Sequence, residues 1–512
     1  MAGALLALLG LAYVTAPGLL AQRLEASLGQ ISGLGFSNQS AHFEFSPPGL
    51  VIHEIRLANA QGQTMGEIEA LHVPMGALWR GWAGTPLKFE NATLHSYAAD
   101  GREHFSASKL TGTSTLGADG SLVASGSGDL GLTHATGDLT LASLARAMNE
   151  GTPADFTLTS KLVRASYSGR FKIKDGFDLA GTVSLETPDA QGFLGGMGAK
   201  LPAMQQGWPL NMNAAVETRD GLLSFSNVEA QLGGMKALGN ATYGWSSGRP
   251  RLTLDLGMDV IDLALFGLGN PAREGAWSEK PFDLAALDSL DAIWHVSSNA
   301  LKIGSLELGA GAFDGSLKER ILDVSYSAKD AQSFAGHVGL NGQGFQPELE
   351  VSLDAVNLDG KSALSSLAGF DWLTGLVSIS TKLSTSGDSP AALVSKLSGS
   401  LNLKLKDGRI AGFDAPALLQ AATEQPVDGW NGGFTASVAA EGTVNFADGI
   451  GTLDQASFEA PGVSLAIAGD IDILRQALEL KLTPRSTAAK SSTSTAVTGP
   501  WESPKFLADK SP

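Results

Sequence analysis

The stretch Leu397-Ser-Gly-Ser-Leu-Asn-Leu-Lys-Leu-Lys-Asp-Gly-Arg-Ile-Ala-Gly-Phe-Asp414 carries the pattern that organises this chain. Leu401, Leu403 and Leu405 alternate with Asn402, Lys404 and Lys406. Period two puts the leucines on one face of an extended chain and the polar groups on the other. Asp407-Gly408 then supplies two residues that tolerate positive φ, which predicts a hairpin turn. The same pattern runs outward in both directions. Asp-Gly pairs recur at Asp100, Asp119, Asp175, Asp220, Asp314, Asp359, Asp428 and Asp448, and Asn341-Gly342 and Asn431-Gly432 join them. Alternating flanks appear in Phe171-Lys-Ile-Lys-Asp-Gly-Phe-Asp-Leu179, Leu252-Thr-Leu-Asp-Leu256, Leu349-Glu-Val-Ser-Leu353 and Leu478-Glu-Leu-Lys-Leu482. Repetition is loose, with no rigid period.

Composition agrees with many short strands and tight turns. Of 512 residues, 43% are hydrophobic and 17% charged, which suits a folded chain. The 63 glycines are about twice the usual share and supply positive φ to turns. With no cysteine there is no disulfide framework, thiolate metal site or cysteine nucleophile. A net charge of −17 argues against nucleic acid, whose phosphates demand clustered Lys and Arg. Short helices are expected over 141–148, 363–370, 390–397 and 416–422, and 270–291 reads either way. A mainly β chain of this length must hide a long apolar face, either against a second sheet or inside a trough.

The first residues are different. Ala2 to Leu20 hold no charged side chain, and about 19 residues at 1.5 Å each approach the thickness of a bilayer's hydrocarbon. A cleaved signal would want a basic start and a small-x-small site. No Lys or Arg precedes Ala2, and Val14-Thr-Ala16 is followed by Pro17. A single-pass anchor over residues 1–21 is the expectation, carried by Leu5, Leu6, Leu8, Leu9, Leu11, Tyr13 and Val14. An amphipathic helix is expected next, over 22–28.

Motifs that would carry chemistry fail on context. Gly126-Ser-Gly-Asp-Leu-Gly131 matches a dinucleotide fingerprint, but no βαβ unit surrounds it. Ser106-Ala-Ser-Lys109 lacks the companion motifs of a serine acyl enzyme. The eight histidines show no metal-binding spacing, and Glu67 with Glu69 reads as a solvated strand edge. The nine tryptophans read as core packing or edge caps. No catalytic residue, metal site or cofactor is expected, and the chain does not read as an enzyme. An outer-membrane barrel would need longer alternating strands and aromatic girdles.

Taken in order, several segments resemble the C-terminal domain of the AsmA family of Gram-negative envelope proteins. They are the 397–414 stretch, Ala417-Leu-Leu419, Gly442-Thr-Val-Asn-Phe-Ala-Asp-Gly449, Glu459-Ala-Pro-Gly-Val-Ser-Leu-Ala-Ile-Ala-Gly-Asp-Ile-Asp472, Leu478-Glu-Leu-Lys-Leu482 and Thr498-Gly-Pro-Trp-Glu-Ser-Pro-Lys-Phe506. The stretch from Ala41 to Leu57 resembles the family's N-terminal β segment. The resemblance implies a long curved antiparallel sheet forming an amphipathic groove, with few short helices, after one N-terminal transmembrane helix. It divides the chain into an anchor (1–21), an N-terminal β segment (22–110), a repetitive groove region (111–380), a C-terminal domain (381–506) and a polar tail (507–512). It also implies an inner-membrane-anchored periplasmic protein that supports outer-membrane biogenesis by holding phospholipid acyl chains. Leu401, Leu403, Leu405, Val463, Leu465 and Ile467 are the candidate groove residues. The alternative is a non-catalytic assembly factor that meets outer-membrane proteins through strand edges. The inner membrane and outer-membrane assembly proteins are then the implied partners.

Overall fold

A computed structural model describes residues 2–509 apart from 33–34, 59–61, 81–82, 98–102, 131–132, 174–177, 197–207, 220–221, 247–248, 267–276, 329–332, 369–371, 431 and 486–493. The chain is mainly β, as its alternation requires, and forms two compact units. Residues 1–201, 207–234 and 238–245 make the first; 202–206, 235–237 and 246–512 make the second.

The first unit is an antiparallel meander. Gly35–Ser37 and Ser40–Phe45 pair side by side on Pro48–Ala58, and each later strand pairs with the next as far as Leu222–Leu232. Its N-terminal core holds Leu50, Ile52, Ile55, Leu71, Val73 and Leu87. A helix, Ala2–Ser32, packs onto this core through Ala21 and Leu24, three residues apart and therefore on one helix face. The expected anchor and the expected 22–28 helix are thus one continuous helix, and Pro17 does not end it. The side chains of Leu5, Leu6, Leu8, Leu9, Leu11, Tyr13 and Val14 lie outside the described residues. Among the described residues no helix is long and apolar enough to cross a membrane.

The second unit departs once from the expected antiparallel pattern. Arg249–Met258 runs parallel to Asp291–Ser298, with Leu252 opposite Ala292 and Leu256 opposite Val296. A parallel neighbour cannot be reached by a tight turn, and the chain spends residues 259–290 on the return. From Asp291 onward the sheet is antiparallel through Gly311–Lys318, Ile321–Ala328, Phe334–Asn341, Glu348–Asp359, Leu373–Ser386, Ser398–Ala411, Phe434–Ala447, Ile450–Ala460, Val463–Asp472, Ala477–Pro484, Ser494–Pro500 and Lys505–Asp509. The last strand takes in 507–509 of the expected polar tail. A separate three-stranded sheet joins Ile261–Asp262, Leu301–Ile303 and Leu306–Leu308. Helices form at Leu144–Asn149, Gly360–Ala368, Pro390–Ser395 and Ala415–Glu424, close to the four expected places, and also at Met75–Arg80 and Ala190–Gly196.

The Asp-Gly pairs do several different jobs. Asp448-Gly449 is the expected two-residue turn, with φ of 50° and 77°. Asp359 instead caps a helix, its carboxylate accepting from the Ser362 amide at 2.9 Å. Asp314-Gly315 lies inside a strand, where a Cβ on Gly315 would come within 2.2 Å of the Trp294 ring across the ladder. Glycine is there to admit the indole. Asp407-Gly408 is also inside a strand, at a bulge with Asp407 at φ 51°. Asp100, Asp175, Asp220 and Asn431 lie outside the described residues. One hairpin carries no turn signal at all: Glu319-Arg320 turns with φ of 49° and 69°.

These turns make a paired prediction. A Cβ at Gly449 would lie 2.5 Å from the Val394 carbonyl oxygen in addition to the positive φ. Gly449→Ala is expected to destabilise by more than about 1 kcal/mol, whereas Glu319→Gly relieves a left-handed residue and should be neutral or stabilising. Urea unfolding of the two variants, followed by tryptophan fluorescence, checks the opposite signs.

Candidate functional site

The six candidate groove residues all sit on one apolar face of the second unit. Cross-strand register aligns Val377, Leu405, Ala440, Phe458 and Leu465 in one row. Ile379, Leu403, Gly442, Ala456, Ile467 and Leu482 form the next. The structure separates the six by cover. Leu405 and Leu465 are buried, at 4% and 3% exposure. Leu401, Leu403, Val463 and Ile467 are half-buried against the same cluster.

The cover comes from the chain itself. Between Ser398–Ala411 and Phe434–Ala447 the chain leaves the sheet and lays the Ala415–Glu424 helix against Ser494–Pro500 and Lys505–Asp509. Asp414 caps this helix, accepting from the Ala417 amide at 3.1 Å, and Pro416 occupies its first turn, where no amide is needed. Ala415, Leu418 and Ala422 are buried against the sheet. Buried Thr435 ties the helix start to the strand: it accepts from the Ala415 amide and donates to the Phe413 carbonyl. Phe413 meets Phe458 and Trp430 edge-on, and Trp430 meets Phe506.

The first unit presents a second apolar face, which sequence reasoning assigned to the groove region without naming a residue. Leu139, Phe156, Tyr167, Val183 and Ala214 align across five strands. Leu158, Ala165, Leu185, Met212 and Ala230 align beside them. The helix Leu144–Asn149 covers one end, around Leu141 and Ala154. Further along, Leu158, Val183, Leu185 and Met212 are half-buried and Phe156 is exposed. On the same face Gly169 stands opposite Gly181, and a Cβ on either would meet neighbouring backbone at 2.5 Å or less. Only glycine fits that approach. The signal that could have found these residues was the alternation in Phe156-Thr-Leu158, Val183-Ser-Leu185 and Leu210-Asn-Met212.

The polar side chains offer less chemistry. Among the described residues no group of three or more His, Asp or Glu is placed to hold a metal ion. His295 pairs with Asp314 at 2.5 Å, His337 with Asp323 at 3.0 Å and His134 with Asp129 at 2.9 Å, all as exposed pairs. The hydrogen bond to Asp314, then its charge, raises the His295 pKa; those from His134 and Lys109 lower that of Asp129. Several tryptophans depart from core packing: Trp277, Trp372 and Trp430 are exposed, while Trp208 is buried.

Two measurements follow from this geometry. Leu418→Ala empties a fully buried position and should cost about 2–5 kcal/mol, whereas Leu401→Ala on the half-open part of the face should cost less; chemical denaturation compares them. The His295–Asp314 pair should be fully formed below the ordinary histidine pKa of about 6.5 and weaken as pH rises through the raised folded value. An NMR titration should place His295 above that ordinary value, and Asp314→Asn should return it.

Residues 332–455 match the model of the AsmA family. The match begins upstream of the segments that carried the resemblance and stops before Val463, Leu465 and Ile467. No curated protein and no solved structure matches the chain. Across the stretch that bears the Leu401, Leu403 and Leu405 strand and the helix that follows it, this chain is similar to the AsmA family.

Proposed function

We propose that this protein holds phospholipid acyl chains on the apolar faces of its sheets, as a non-catalytic component of outer-membrane biogenesis. The AsmA match supports a role in outer-membrane biogenesis or assembly and agrees with an envelope location. The observation that carries the finer reading is the pair of apolar rows in the first unit, with Leu158, Val183, Leu185 and Met212 half-buried and Phe156 exposed. Carrying a lipid through water exposes its tails at about 0.8 kcal/mol per CH₂. A continuous apolar face removes most of that cost with no reacting group. The uncharged start of the Ala2–Ser32 helix would serve as the attachment to the inner membrane, with the sheets in the periplasm.

A second reading rests on a different observation. Among the described residues, the last strand, Lys505–Asp509, is paired on its outer side only through Val427–Asp428. Its remaining backbone groups would accept an added strand, as an assembly factor for outer-membrane proteins requires.

Native mass spectrometry with lipid extraction on the full chain distinguishes these. Phospholipid at a defined stoichiometry is expected, reduced in Leu185→Asp and Leu403→Asp, both at half-buried positions that tolerate a carboxylate better than buried Leu465. A folded protein that emerges lipid-free and takes up no fluorescent phospholipid would sink the acyl-chain reading and leave the strand edge.

A further inference from the structure

The covering segment of the second unit is built like a flap. Its two ends meet: the Gly412 amide donates to the Gly433 carbonyl at 2.9 Å, and Phe413 bridges to Gly432. Gly412, Gly432 and Gly433 have φ of 78°, 70° and 73°, a left-handed conformation that favours glycine. From the neck the chain crosses the apolar face as the Ala415–Glu424 helix and fastens at the far edge. The fastening is small. It consists of the two-residue pairing of Val427–Asp428 with Phe506 and Lys505, the Gly429 amide to the Pro504 carbonyl at 2.7 Å, an exposed Lys505–Asp428 ion pair at 3.9 Å, and Trp430 edge-on to Phe506. The segment meets Phe458 through Phe413 and Phe506 through Trp430, and Val377, Leu405, Leu465 and Val497 belong to the same core cluster. The same face continues, half-covered, through Leu401, Leu403, Ile467 and Leu480. The helix therefore occupies one end of an apolar strip that is otherwise partly open.

We infer that residues 412–430 and 432–433 form a lid, and that an acyl chain entering along Leu401 and Leu403 displaces it to occupy the strip beneath. This rests on the acyl-chain reading above. The glycine neck is the hinge, and the Val427–Asp428 pairing is the latch. Two features suit the lid to opening. The fully buried side chains of its helix are mostly small, Ala415 and Ala422 beside Leu418, with Leu419 partly buried next to them and Phe413 and Val427 packing at its two ends. Its latch is held by few polar bonds, two of its side chains being exposed to water.

The chain has no cysteine, so introduced thiols are the sole ones present. Asp428 and Lys505 stand directly opposite each other, at a Cα separation of about 4.5–5.5 Å for antiparallel partners, within disulfide range. In Asp428→Cys/Lys505→Cys, oxidation should lower uptake of a fluorescent phosphatidylethanolamine from phosphatidylethanolamine–phosphatidylglycerol vesicles by about half, the second unit's share, since the first unit's face stays open. Reduction should restore it. Hydrogen exchange on the unaltered protein needs no substitution: adding the same vesicles should speed exchange of the Ala415–Glu424 amides and leave the Ser398–Ala411 strand protected. Equal uptake by the oxidised and reduced forms, or unchanged helix exchange while lipid is taken up, would overturn the lid and leave acyl-chain binding standing. No uptake by any form, wild type included, would overturn the acyl-chain reading and the lid with it.

Discussion

Everything in this molecule follows from one constraint: a sheet that alternates apolar and polar residues has an apolar face that must be kept from water. Period two makes the face automatically, since every second residue of each strand points the same way. It does not say what covers it. The N-terminal core solves the problem with the second half of a long helix, through Ala21 and Leu24. The C-terminal core solves it with the Ala415–Glu424 helix. Between these, in the rows from Leu139 to Met212, the face is covered at one end and half-exposed along the rest. That uneven cover, more than any individual residue, separates a structural face from one available to a ligand.

A second regularity keeps the strands in step. Asn91, Lys109, Asn227, Asn357, Asp407 and Ser437 all have positive φ and sit at or beside a register shift. The residue that follows is buried at Ala92, Val228, Leu358, Gly408 and Val438. A bulge inserts one extra residue and sharpens the local twist. Here it also re-aims the next side chain into the core. The loose repetition visible in the sequence is therefore partly a repetition of bulges. Asp407-Gly408 shows how a bulge and a hairpin share one signal, because both need a residue that tolerates a left-handed backbone.

That shared signal explains what was legible and what was not. The strands, their inward faces and the four main helices could be read from Leu401-Asn-Leu-Lys-Leu405 and its counterparts, because periodicity is a local property. The resemblance to the AsmA family could be read because several short segments recur in order, and the family's model matches residues 332–455. The jobs of individual Asp-Gly pairs could not. At Gly315 the deciding neighbour is Trp294 on another strand, and at Asp359 it is the helix that follows. The parallel pairing of Arg249–Met258 with Asp291–Ser298 was equally hidden, since direction depends on the path of the intervening 32 residues and not on the strands. Among the six groove candidates, alternation found the face but could not tell buried Leu405 and Leu465 from half-buried Leu401 and Leu403.

The composition of that helix bears on what the face is for. A segment meant to seal a core permanently would be expected to fill it with large side chains, since each buried CH₂ contributes about 0.8 kcal/mol. Ala415-Pro-Ala-Leu-Leu-Gln-Ala-Ala-Thr-Glu424 has four alanines and two leucines. It contributes buried Leu418 and two alanines, with Leu419 partly buried, to a core that also holds Val377, Leu405, Val438, Phe458, Leu465 and Val497. The sheet side is rich in apolar area and the helix side is lean. An acyl chain laid along the same strip brings a methylene every bond, so it matches the sheet's apolar area better than the helix does. On the proposed acyl-chain reading, that asymmetry would make exchange between helix and acyl chain a balanced competition, and balance is what a carrier needs if it is to release what it holds.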